Sequence, residues 1–170
     1  MTECRLVHTR SGVSCPRPSG WATVRIDDVG VAARAPARAQ VFRASLVLTV
    51  LDNAGLTFSQ WQAGTDRLLP IALTDYELID LRRCVVAGRS GGQRVARHRA
   101  PDGRVVVLHQ WFCAVGAVGV TLSATCEVRS YREVSEHARV AAAGLRLTAH
   151  HAATGRQAPH PVDGTAQNQS

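Results

Sequence analysis

Short alternating runs of apolar and polar residues, closed by glycine and proline corners, dominate the chain from Trp21 onward. Trp21 to Ile26 alternates as a strand does, and Asp27-Asp28 turns the chain. Ala35 to Gln40 is a loop by its Pro and Arg content. In Phe42 to Leu51, Phe42, Ala44, Leu46, Leu48 and Val50 fall on one face, the period-two signature of a half-buried strand. Asp52-Asn53-Ala54-Gly55 ends that strand, and Thr57 is the N-cap of a helix running to Leu69, with Pro70 as its stop. Phe58, Trp61, Thr65, Leu68 and Leu69 follow helical spacing.

Tyr76 to Ala87 predicts the next strand, and Gly88-Arg89-Ser90-Gly91-Gly92 a loose hairpin turn. Gln93 to Arg99 then pairs back, with Pro101-Asp102-Gly103 as a tight turn. Arg104 to Val115 has Val105, Val107, His109, Trp111 and Cys113 on one face and Val106, Leu108 and Phe112 on the other, so both faces are covered. Gly116 to Gly119 turns again before a strand over 120–128. Tyr131 to Ala143 predicts a second helix, with Tyr131, Val134, Ala138 and Ala141 on one side and Gly144 as C-cap. Leu145 to Leu147 adds a short strand or docking segment. Consecutive hairpins force antiparallel pairing, since parallel neighbours need a long crossover. The predicted class is α+β: a twisted antiparallel sheet flanked by helices.

At 170 residues the chain fits one domain. Residues 1–12 are expected to be a flexible lead, 13–149 the folded domain, and 150–170 a disordered tail rich in small and polar residues. No run approaches 18 apolar residues, and the N-terminus carries no apolar segment of the kind that targets secretion. The chain is therefore expected to be cytoplasmic. Its five cysteines form no CxxC pair, so neither a disulfide framework nor a zinc knuckle is indicated.

The net charge of +7 raises nucleic acid as a partner. All 20 basic residues are Arg, in a chain heavy in Ala, Val and Gly; this fits a coding bias and weakens the argument from charge. Seven Arg fall between Arg82 and Arg104 against one acid, Asp102, and Arg94, Arg97 and Arg99 are the candidates for a nucleic-acid hairpin. A solvated strand face accounts for them better. His109 sits mid-strand beside Trp111, with Asp80 and Ser90 elsewhere, but no G-x-S-x-G elbow exposes a nucleophile. The glycines at 88–92 precede no helix and so lack a phosphate cradle. Glu133 and Glu136 with His137 make a solvated helix face, and His150, His151 and His160 lie in the tail. No catalytic residue, metal site or cofactor is assigned.

Cys15-Pro16-Arg17-Pro18-Ser19-Gly20-Trp21, the strand Phe42 to Val50, Leu69-Pro70 followed by Thr74 to Asp80, and Gly88 to Arg99 leading into the strand through Trp111 carry a likeness across residues 13 to 149. In these pieces the chain resembles the PsbP-like group, which includes the DcrB proteins and the mycobacterial LpqN/LpqT lipoproteins. The resemblance implies an α/β/α sandwich without catalytic residues, in a group of assembly factors, binding modules and, in its Eag members, chaperones for secreted effectors. The chain departs from LpqN/LpqT in lacking the signal peptide and lipobox Cys, which favours a cytoplasmic role.

The leading expectation is a non-catalytic adaptor or chaperone for a protein partner presenting an apolar segment, with a homodimer through an uncapped edge strand as a further option. The alternatives are a small apolar-ligand carrier, its pocket lined by Trp61, His109 and Trp111, and nucleic-acid binding through the Arg-rich hairpin.

Overall fold

The computed structural model describes residues 4–38 and 41–147. Nine strands and two helices follow one another: β1 (Arg5–Val7), β2 (Ser14–Pro16), β3 (Ala22–Ile26), β4 (Gly30–Arg34), β5 (Ser45–Asp52), α1 (Phe58–Ala72), β6 (Thr74–Val86), β7 (Arg89–Arg99), β8 (Val105–Val115), β9 (Val118–Glu127) and α2 (Tyr131–Ala143). Seven strands form one antiparallel sheet in the order β3-β4-β5-β9-β8-β7-β6, and β1 and β2 pair separately. The class is the expected α+β. The expected tail, 150–170, lies outside the described residues.

Alternation explains how the sheet is buried. Leu46, Leu48 and Val50 of β5 lie across from Ala124, Leu122 and Val120 of β9, all buried on one face. The same face of β8 carries Trp111 and Cys113, and α2 covers it with Val134, Ala138 and Ala141. Helix α1 lies on the opposite face, where Phe58 stacks on Phe112. The inner strand β8 is buried on both faces from Val106 to Cys113, as its sequence predicts.

Several boundaries differ from expectation. Arg5–Val7, inside the expected flexible lead, forms β1, with Leu6 fully buried; Ser14 then bridges to Arg146, the short closing strand expected near Leu145. β4, read from no pattern, is mostly alanine and valine and pairs on both sides. Pro70 does not stop α1, which runs to Ala72, because the proline withholds only its own N–H while Leu73 N–H still reaches the carbonyl of Leu69 at 2.9 Å. Leu68 points to solvent, 64% exposed, since Trp61, Thr65 and Leu69 already define the inward line. The loose turn expected over 88–92 is a two-residue hairpin at Ala87 and Gly88, with φ of 50° and 73°, the type I′ signature. Gly91 and Gly92 instead lie inside β7: a Cβ at Gly92 would come within 2.5 Å of the Phe112 ring, and one at Gly91 within 2.5 Å of the Phe112 carbonyl oxygen and 2.9 Å of Val86.

Neither helix is long and apolar enough to cross a membrane.

Candidate functional site

Polar groups buried in the sheet mark the candidate site, because a buried polar side chain persists only where something satisfies it. The turn at 101–103 sets the β7–β8 register, placing Gln93 across from Trp111, Arg94 across from Gln110 and Val95 across from His109. Adjacent residues point to opposite faces, so this ladder builds two clusters back to back.

The first lies under the start of α2. The His109 ring stacks on Trp111, centroids 3.9 Å apart, with its Nε2 against the Gln93 amide and its Nδ1 3.3 Å from the Tyr131 hydroxyl. Arg82 Nε donates to Gln93 Oε1 at 3.1 Å and lies 3.7 Å from Asp80. Burial pushes the His109 imidazolium pKa down to about 4; the Arg82 charge adds to this and Asp80 opposes it. The imidazole is therefore neutral at physiological pH. Neither hydrogen-bond partner is a carboxylate or an aliphatic hydroxyl, the groups a His base orients against or activates.

The second lies under α1. Arg94 is 1% exposed; its guanidinium bonds Asp66 of α1, donates to Gln110 Oε1 at 2.8 Å and rests 4.9 Å from the Phe112 centroid. Gln110 passes the chain on to Ser123 Oγ at 3.0 Å. The Arg94 Nε is buried without a hydrogen-bond partner. Trp61 packs beside this cluster against Phe112 and Gly119, where a Cβ would meet its indole at 2.5 Å.

The sheet therefore separates the predicted ligand set: Trp61 lies on the α1 face, His109 and Trp111 on the α2 face. No common pocket holds the three, which corrects the expectation of a cleft between them. Its physical cause is strand parity, since Trp111 and Phe112 are neighbours in sequence and Trp61 packs on Phe112. Among the described residues a cleft of about 310 Å³ runs between the β6–β7 hairpin and α2, lined by Trp111 and Arg139, and one of about 580 Å³ is lined by Tyr76, Glu77, Arg97 and Arg99.

Five of the seven arginines between Arg82 and Arg104 pair with acids from outside that stretch, Arg82 through Asp80. Arg97 pairs with Glu77, Arg99 with Asp75 at 2.8 Å, Arg104 with Glu127 at 3.1 Å, and Arg94 with Asp66. Parity also divides it, with Arg82, Arg97 and Arg99 on one face and Arg83 and Arg94 on the other. Gln93, Gln110, Tyr131 and Asp66 are not among the expected site residues, although Tyr131 is expected on the apolar side of the second helix. Gln93 and Gln110 were within reach of the hairpin register, whereas Asp66 and Tyr131 arrive by tertiary packing that no local pattern encodes.

No protein-family model matches the sequence, and no curated protein matches it. Solved structures do. LpqN of Mycobacterium tuberculosis, involved in cell envelope biogenesis, superposes with a TM-score of 0.61 at 14% identity, over 86% of this chain and 91% of LpqN. Cyanobacterial PsbP of Synechocystis sp. PCC 6803 gives 0.59 at 14%, over 87% and 94%. PA94 of Pseudomonas aeruginosa, a protein of unknown function, gives 0.58 at 13%, over 85% and 100%. At such identity the likeness is one of architecture, and the chain has the PsbP-like, LpqN-like α+β fold.

Proposed function

We propose that this chain is a non-catalytic binding protein that receives an apolar segment of a protein partner on the outer face of α1. One observation carries the reading: α1 has no fully buried residue, yet it turns Leu68 and Ile71 outward, 64% and 82% exposed, three positions apart on one helical stripe. Large apolar side chains this open, on a helix only lightly packed below, suit a helix-in-groove or helix-on-segment contact. Arg67 on the same helix and the net charge of +7 favour acidic residues flanking the partner's apolar segment.

The neutral, fully engaged His109 supports a role in contact rather than turnover. The buried free thiols of Cys15, Cys113 and Cys126 fit a reducing compartment, so the proposed setting is the cytoplasm. Recovery of the chain in the envelope fraction would remove that part of the proposal.

A photo-crosslinking residue at Ile71 tests the contact, with one at exposed Glu136 of α2 as control. A discrete adduct from position 71, absent at 136 and lost on Leu68→Glu, is expected. Equal labelling at both positions, or none at 71, defeats the proposal.

A further inference from the structure

We infer that β6 is a self-recognition edge, pairing antiparallel with β6 of a second copy about a two-fold axis through Leu81. The inference concerns the sheet edge rather than α1, and goes beyond the contact proposed above.

β6 ends the sheet order, and among the described residues no strand lies outside it. The other edge, β3, has only five residues. β6 has 13, yet register shifts at Thr74/Glu77 and Leu78/Asp80 break its first half. From Asp80 to Val86 its pairing with β7 is unbroken. The regular free edge is therefore Asp80-Leu81-Arg82-Arg83-Cys84-Val85-Val86.

Charge then selects one register. A two-fold axis normal to the sheet keeps each face on its own side. Residues directly opposite must then share parity, and the axis passes through a residue. Through Asp80 it opposes two aspartates; through Arg82 or Arg83 it opposes two arginines, each arrangement unfavourable. Through Cys84, Arg82 and Arg83 face valines. Only through Leu81 does Asp80 of each copy face Arg82 of the other. That axis forms two ion pairs on the α2 face and sets Leu81 against Leu81 on the α1 face. Both charged side chains reach solvent, at 49% and 63% exposure for Asp80 and Arg82; within one chain they lie 3.7 Å apart, and the Arg82 Nε also donates to Gln93. In this register Ile79, where the shift between Leu78 and Asp80 falls, lies opposite Arg83, so the unbroken ladder is confined to Asp80–Leu81–Arg82 of each copy, and the dimer is weak, reversible and dissociates on dilution.

Sedimentation of the full chain across a concentration series tests this, with circular dichroism confirming each variant's fold. The wild type is expected to dimerise reversibly. Asp80→Arg and Arg82→Asp should each weaken association by at least about tenfold, since one substitution turns two attractions into repulsions. The double variant Asp80→Arg/Arg82→Asp restores both cross-strand pairs and should recover the wild-type constant. A monomer at every concentration, single variants that dimerise unchanged, or a folded double variant as weak as the singles would each overturn the assignment. The crosslink at Ile71 is read separately, so either proposal can fail alone.

Discussion

The imidazole of His109 lies stacked on the Trp111 indole, the planes inclined by 23°, while Gln93 and Tyr131 hold its two nitrogens. Protonating it places a charge in a buried site close to the Arg82 guanidinium. With a folded pKa near 4 against an ordinary 6.5, the stabilisation from a neutral His109 is complete above pH 6.5 and is lost as pH falls towards 4. The loss amounts to about 3 kcal/mol. Urea unfolding at pH 7 and pH 4 should show a larger decrease for the wild type than for His109→Gln, which cannot titrate. Equal decreases would mean that the imidazole is not held neutral.

Arg94 and Asp66 form a lopsided pair, one buried and the other 35% exposed. Asp66→Ala strands a guanidinium whose Nε is already unsatisfied, and should cost about 2–3 kcal/mol. Arg94→Met leaves a carboxylate that water can reach and removes the orphaned donor, so it should cost less than Asp66→Ala. The reverse order in chemical denaturation would refute this account of the α1 face.

Gly64 of α1 and Gly119 of β9 respond oppositely to one methyl group. At Gly64 of α1 nothing lies within 4 Å of an added Cβ, so Gly64→Ala should stabilise by about 0.5–1 kcal/mol. At Gly119 the Cβ meets the rigid Trp61 ring, and Gly119→Ala should cost about 1–3 kcal/mol. Thermal unfolding followed by circular dichroism distinguishes the two signs.

The cysteines should react in order of access. Cys4 is exposed, whereas burial raises the Cys15 thiol to about 12 and those of Cys113 and Cys126 to about 11. Titration with a thiol reagent at pH 8 should modify Cys4 rapidly, half-exposed Cys84 more slowly, and the other three only in denaturant. Fast reaction of all five would show a core more open than described.

The meander β6 to β9 was legible because alternation and turn residues are local signals. The α2 face was legible too, through Val134, Ala138 and Ala141. Less was legible where tertiary contact decided: Leu6 is buried by pairing with Cys15 across an irregular-looking lead, and β4 lacks the large side chains that usually announce a strand. Gly91 and Gly92 read as a turn because glycine marks turns, yet here the close approach of Phe112 requires them. The proposed ligand set failed for a reason already present in the sequence. Strand parity separates neighbours, so Trp111 and the Phe112 against which Trp61 packs could never share a pocket.

That separation turns the tryptophans into three independent optical reporters. Trp21 meets His137 of α2, Trp61 is carried by α1 and packs on Phe112, and Trp111 lies on the opposite side of the sheet beside His109. Chains retaining one indole each would follow the entry segment, the first helix and the sheet interior as distinct emission signals. Partner docking on α1 would then shift the Trp61 emission alone, whereas global loosening would shift all three.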